Sequence, residues 1–390
     1  MPSRVMAAVA GVSLYLGLNP ALQRRVDLDG LKVGSVNRAR SSASGIGGKG
    51  QGSYVAALQL ATAPEAFAAD GAAPPPRLCQ FLGAGSEGDL LAGMLRARTG
   101  GGAGVDDLWV SVASPCRICT TLVDVASGDA TEIVEPSGTV ALGEWSQLLD
   151  ALSAQAAAPG EGGVAALALM GTAPPGVPKD GYAQICGKVC GPNTRLVMDS
   201  VVEVKATLSA AAERIGSGGD RATGGIMLKL NAREVLKLVG HELAGSDSQV
   251  AADPRVVASA CAQLAAEVAA SGGGRGIDYI CYTDGPFPGG VVSVRSGRTW
   301  RVARGKALRG AVVSPIGAGD ATAAGTLHAW SRAATGQRAA GDDDADARAV
   351  DAFRFGLSVG AASCLTGENS VFDIADVRDI YSSMLVSEDS

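Results

Sequence analysis

Short apolar runs alternate with stretches of helical period along most of the chain. Val12–Leu18, Leu78–Leu82, Val164–Met170, Arg195–Asp199, Ile226–Leu230 and Ile277–Tyr282 are bounded by polar or glycine-rich segments and read as buried strands. Tyr54–Ala61, Leu90–Arg98, Glu144–Ala157, Arg233–Val239, Pro254–Ala270 and Asp351–Cys364 read as helices, with a further one starting at Asp320. Continuous apolar strands separated by helices predict an α/β fold, a largely parallel sheet covered on both faces. Right-handed crossovers then bring most strand C-termini to one edge, where ligands bind.

Two regions break this pattern. Val26–Ser44 and Ser111–Val134 are polar, β-prone and without helical period, and Ser127-Gly128-Asp129 sits between strand-like runs as a hairpin turn. They predict a small accessory sheet, a lid formed by about residues 19–44 and 111–140. The alternative is a pair of ordinary surface hairpins. Residues 62–77, 155–163, 271–276 and 335–348 read as loop insertions into one domain spanning 1–390.

Composition narrows the function classes. Of 390 residues, 47% are apolar and 18% charged, so the chain is globular. The net charge is −6, four of the acids being Asp342, Asp343, Asp344 and Asp346, and no basic cluster could grip a nucleic-acid backbone. A small-molecule partner is expected. Eight irregularly spaced cysteines indicate a reducing compartment, hence a cytoplasmic protein, with an organellar address left open. Cys116 and Cys119 lie in a β-branched run that points them to opposite faces, and without a second such pair a zinc site is not expected. Cys186 and Cys190 read as buried small apolar residues. Of two histidines, His241 sits at a helix end and His328 inside a helix, so histidine chemistry is not expected. Val5–Leu18 could pass for a signal-peptide core, but its β-rich part, Val12–Leu18, reads as the first strand, and no segment is long and apolar enough to cross a membrane.

The most informative stretch is Ser314-Pro315-Ile316-Gly317-Ala318-Gly319-Asp320, where the apolar run Ala311–Val313 enters a glycine turn before a helix. Gly317 and Gly319 let a ligand approach the main chain, and the helix N-terminus suits a phosphoryl oxygen. Asp320 there could take a proton from a hydroxyl beside the stabilised phosphoryl group, or could simply cap an ordinary helix. Gly45–Gly50 and Gly83–Gly88 both fit a dinucleotide fingerprint formally, but the first lacks a buried strand before it and the second lacks the following acid. A Walker A loop fails because Gly50 follows Lys49. Gly47, Gly48 and Lys49 instead offer exposed backbone beside a cation ahead of a helix, for a polyol or a phosphate, or form a flexible turn. Asn231 and Glu234 have capping-box spacing, and the same geometry could orient magnesium waters. Tyr282-Thr283-Asp284-Gly285 ends a strand in a polar turn that could contact a nucleotide or be a plain β-turn.

In this order the motifs resemble the PfkB/ribokinase family of sugar kinases, in its fructose-1-phosphate and tagatose-6-phosphate kinase branch. Asn19-Pro20-Ala21-Leu22, Gly47-Gly48-Lys49-Gly50, Arg117-Ile118-Cys119, Thr131–Glu135, Gly171–Pro178, Asn231–Glu234 and Gly317–Asp320 carry the resemblance, which covers the chain outside the insertions. It implies a ribokinase-like three-layer sandwich and an ATP- and Mg2+-dependent kinase acting on a sugar or sugar phosphate, most of all a ketohexose phosphate. Asp320 would be the base, with Gly317, Ala318 and Gly319 as the anion hole. Asn231 and Glu234 would organise Mg-ATP, Glu234 reaching the metal through water. Thr283 and Gly285 would touch the nucleotide, with Gly360 to Asn369 on its adenine side. Asn19, Gln23, Gly47, Gly48 and Lys49 would face the sugar, and Arg117, with Lys32 or Arg38, its phosphate. The lid could also form a homodimer.

Two positions depart from the family pattern. Gln23 stands where an aspartate usually holds sugar hydroxyls, and Gly52 where an asparagine is usual. An amide still makes hydrogen bonds but supplies no negative acceptor. A kinase-like binding or regulatory protein with impaired sugar binding therefore stays open. So do a nucleoside kinase of the same fold and, more distantly, a dehydrogenase.

Overall fold

The computed structural model describes residues 11–63, 73–100, 105–127, 129–157, 163–219, 223–241, 251–271, 276–306, 308, 312–332 and 342–389. In chain order, β1 (Val12–Gly17), β2 (Ala21–Leu28) and β3 (Ser41–Gly47) lead to α1 (Lys49–Ala61), β4 (Pro76–Ala84), α2 (Ser86–Arg98) and β5 (Trp109–Pro115). β6 (Ile118–Asp124), β7 (Ala130–Val134), α3 (Leu142–Ala157), β8 (Val164–Met170), α4 (Gly181–Val189), β9 (Arg195–Asp199) and α5 (Val204–Gly216) follow. The chain continues through β10 (Gly225–Asn231), α6 (Ala232–Leu238), α7 (Pro254–Ser271), β11 (Tyr279–Asp284), β12 (Phe287–Ser293) and β13 (Thr299–Arg304). It closes with α8 (Ala318–Arg332), α9 (Asp342–Ser363), α10 (Ile374–Ser383) and β14 (Met384–Glu388).

The ten-stranded sheet runs β14-β13-β12-β11-β10-β9-β8-β1-β4-β5. The strands from β5 to β11 are parallel to their neighbours, and β12, β13 and β14 add on antiparallel. Strand order reverses beside β1, so a crevice opens at the strand C-termini there. Apolar side chains leave both faces, as the continuous runs require. Leu14 and Leu16 pack with Trp145, Leu148 and Leu228, whereas Tyr15 packs on the other face with Tyr54, Met227 and Phe353. On that second face α8 and α9 cross closely at glycines: a Cβ at Gly356 would run into the Thr326 hydroxyl.

The second sheet has the order β3-β2-β6-β7 and forms the lid. Its tip turn closes with the Asp124 N–H donating to Asp129 O at 2.9 Å, Gly128 itself lying outside the described residues. Its outermost strand, β7, is exposed along its whole length.

Several boundaries differ from expectation. Residues 111–115 belong to β5, paired with β4 in the main sheet, so the second lid segment starts at β6. The hydroxyl-rich run from Ser111 hides a strand buried only on alternate positions. β12, β13 and β14 were not anticipated: Phe287–Ser293 is rich in glycine, and the alternation of buried Trp300 and Val302 with polar neighbours in Thr299–Arg304 is short. Of the 335–348 insertion, residues 342–348 are the start of α9, and Asp346 turns inward to accept from the Ser293 and Ser296 hydroxyls; residues 335–341 lie outside the described residues, as do the middles of the other three insertions. Val312 and Val313, in the apolar run before the glycine turn, are exposed loop. His328 is buried against Phe355, and burial drops its pKa to about 3.

Candidate active site

α1 starts at the crevice, with Gly48 in the left-handed region at φ 99. Its first residue, Lys49, passes over Gly171 and donates to Asp199 Oδ1 at 2.7 Å, with Glu234 Oε1 3.7 Å away. Asp199 ends β9 and is almost fully buried. Its other oxygen accepts from Lys229 Nζ at 2.5 Å, and Lys229, buried on β10, also donates to the Gly319 carbonyl at 3.0 Å. Two lysines thus share one aspartate, and one of them grips the glycine turn that launches α8. Burial opposes the charge on Asp199, but Lys229 and Lys49 outweigh it and hold its carboxyl below the ordinary range. Burial likewise opposes the charge on Lys49, yet Asp199, Glu234 and Asp320 hold its pKa above the usual value.

Asp320 lies in the first turn of α8, after Gly317 at φ 80. Its carbonyl accepts from the Ser53 hydroxyl of α1 at 2.9 Å, which ties the two helix N-termini together. Its carboxylate rests against the bare Cα of Gly52, where a Cβ would come within 2.8 Å of Oδ2. Desolvation pushes its pKa up to about 8, with Lys49 and Lys229 pulling it down and Asp199 and the lid's Glu132 pushing it up. A carboxyl in this range is suited to proton transfer near neutral pH.

Asn231 and Glu234 form a reciprocal capping box, at 2.8 Å from the Glu234 N–H to Asn231 Oδ1 and 2.9 Å from the Asn231 N–H to Glu234 Oε2. Thr283 is the cross-strand neighbour of Asn231, and Gly285 follows in the left-handed region at φ 56. Lys49 thus links Glu234, and through the capping box Asn231, to the charge of Asp320, with Thr283 beside Asn231 on the next strand.

The sugar-end residues are arranged differently. Asn19 Nδ2 donates to Thr172 Oγ1 at 3.0 Å. Gln23, buried, donates to Thr121 of the lid at 2.7 Å. A cavity of about 410 Å3 lies under the lid, lined among others by Gln23, Arg25, Ile46, Arg98 and Asn369. Asn369 donates to the Ile46 carbonyl at 3.2 Å. The Arg117 guanidinium is directed at main chain, donating to Asn19 O at 2.9 Å and Pro20 O at 3.3 Å. Gly360 packs against α8, where a Cβ would strike Thr322.

Sequence reasoning overlooked Asp199 and Lys229. The signal was present: each is a charged residue at a buried position of an apolar strand, which is tolerated only with a partner.

The α/β body with its β-sheet lid has the ribokinase-like fold of carbohydrate kinases. No family model matches the chain. It is 28% identical over 258 residues to a 1-phosphofructokinase of Xanthomonas campestris pv. campestris, covering 63% of this chain and 68% of that protein. Among solved structures it is similar to phosphofructokinase-2 of Escherichia coli in complex with potassium, with a TM-score of 0.65 and 20% identity over 96% of this chain and 99% of that one. It is equally similar in fold to the ribokinase of Giardia lamblia, with a TM-score of 0.65 and 15% identity over 95% of this chain and 99% of that one. These likenesses support a place among the PfkB carbohydrate kinases, on the fructose-1-phosphate kinase branch.

Proposed function

We propose that the protein transfers the γ-phosphoryl group of ATP to a hydroxyl of a sugar phosphate, a ketohexose phosphate above all, with Asp320 as base. One observation carries this reading. A desolvated carboxyl with its pKa raised to about 8 stands at a helix N-terminus beside a cation held by a buried aspartate. The acceptor oxygen attacks the γ-phosphorus as the bond to the ADP oxygen breaks, and the hydroxyl proton passes to Asp320. Lys49 and the N–H groups of the Gly317–Gly319 turn offset the charge on the migrating group. Lys229 keeps that turn in place through the Gly319 carbonyl. The lid excludes water, the competing acceptor.

Among the described residues no cluster of three or more His, Cys, Asp or Glu could cage a metal. That fits magnesium, which is usually bound by phosphates and water with one or two carboxylates. Glu234 would hold it through water, its Oε1 being the oxygen that the capping box leaves over. The ion would supply charge neutralisation on the triphosphate.

The 1-phosphofructokinase relative favours fructose 1-phosphate as acceptor. A coupled ADP-release screen with fructose 1-phosphate, fructose 6-phosphate, tagatose 6-phosphate, free ketoses and ribose tests this. Release with a ketohexose phosphate is expected, and no release with any acceptor would contradict it. That second outcome would favour a kinase-like binding protein, a reading supported by the tie between Gln23 and Thr121 and the crowding at Gly52. Homodimerisation through the lid is supported by Ile133 and Val134, 53% and 54% exposed on β7; light scattering on Ile133→Glu would give half the native mass if that face is the contact.

A further inference from the structure

Ser370 stands out among the residues that touch the phosphoryl-transfer turn. Among the described residues only Glu203 and Ser370 are non-glycine with positive φ, and Ser370, at φ 58, is fully buried. Glycine would occupy that conformation without strain. The hydroxyl is used, however: Ser370 Oγ donates to the Gly317 carbonyl at 3.1 Å. The same carbonyl accepts from the Ala321 N–H at 2.9 Å, the opening bond of α8. Two donors on one oxygen fix the plane of the Gly317–Ala318 peptide, and the planar peptide bond fixes the Ala318 N–H with it.

The strained residue is held from both sides. Gln59 of α1 donates to the Ser370 carbonyl at 2.9 Å and accepts from the Phe372 N–H at 3.2 Å. A Cβ at Gly317 would lie 2.8 Å from Ser370 Oγ and 2.9 Å from its nitrogen. A Cβ at Gly52 would lie 2.8 Å from both Ser370 Oγ and Asp320 Oδ2. The two glycines are therefore the room into which Ser370 and the catalytic carboxylate fit together.

We propose that Ser370 is a positioning residue for phosphoryl transfer, acting through the Gly317–Ala318 peptide and itself locked by Gln59. This rests on Asp320 as base. Backbone strain kept at a buried position next to reacting groups is the pattern expected of such a device, and its effect falls on the transition state, where N–H placement counts most.

The test compares Ser370→Gly, Ser370→Ala and Asp320→Asn with the natural protein in ADP release from ATP and fructose 1-phosphate, alongside thermal midpoints. Ser370→Gly accommodates the left-handed backbone, so its midpoint should match or exceed that of the natural protein. Its kcat should nevertheless fall about 10- to 100-fold with KM for ATP within about twofold. Ser370→Ala should lose as much kcat and also lose stability. A loss of kcat in a protein that has not lost stability is a result that packing alone would not give. Full kcat in Ser370→Gly, with Asp320→Asn inactive, would overturn the positioning role and leave the base in place. Equal activity of Asp320→Asn and the natural protein would overturn both.

Discussion

The two ends of the cleft are built from different materials. At the transfer end, Lys49, Asp199 and Lys229 come from helix starts and strand ends of the main sheet, and their charges interlock within the body at 2.5–2.7 Å. At the sugar end, the lid supplies Gln23, an amide that lines a cavity of about 410 Å3, and its buried hydrogen-bond partner, the Thr121 hydroxyl. Asp199 and Lys229 cannot relax without leaving a charge unpaired in the core, whereas neutral groups on a four-stranded sheet with one wholly exposed strand can rearrange at little cost. The contrast teaches that such a chain can retain transfer chemistry while its acceptor preference shifts, which is where Gln23 and Gly52 depart from the family pattern.

The sharpest way to break this contrast is Asp199→Ala. Lys229 would be left buried without its carboxylate, costing about 3–5 kcal/mol, measured by denaturant titration. Gln23→Ala at the other end should cost about 1–2 kcal/mol at most. Equal losses would erase the distinction.

Gly52→Asn restores the usual family residue. Because its Cβ would meet Asp320 Oδ2 at 2.8 Å, the carboxylate must swing away, and kcat should fall about 10- to 100-fold. Unchanged or increased kcat would show that the carboxylate has another resting place.

The smallest effect is on stability against pH. The folded pKa of Asp320, about 8, lies above the unfolded value of about 3.9. The stability linked to its protonation is fully present below about pH 4 and is lost as pH rises through about 8. Asp320→Asn keeps a neutral group throughout. Relative to the natural protein, its thermal midpoint should gain about 1–3 °C between pH 4 and pH 9. A difference in midpoint that does not change with pH would mean the carboxyl is not desolvated.

Much of the body was legible because its strands are unbroken apolar runs. Val164–Met170 and Arg195–Asp199 coincide with β8 and β9 to the residue. The antiparallel edge was not, since Gly289 and Gly290 interrupt β12, and β13 shows only a short alternation of buried Trp300 and Val302 with polar neighbours. Helices α4, α5 and α10 escaped as well; α5 follows a left-handed Glu203 with no side-chain cap to announce it. At the site, glycine turns and the Asn231–Glu234 spacing could be read directly, because they are local. The Asp199–Lys229 pair and the Gln59–Ser370–Gly317 chain could not, because each joins residues brought together only by the sheet and helix packing.

The most direct test is to follow ADP release and ATP binding together in Asp320→Asn, with fructose 1-phosphate as acceptor. The base assignment predicts a fall in kcat of about 100- to 10,000-fold with the dissociation constant for ATP within about twofold of the natural protein. Turnover within tenfold of the natural protein, or a loss of ATP affinity as large as the loss of turnover, would contradict it.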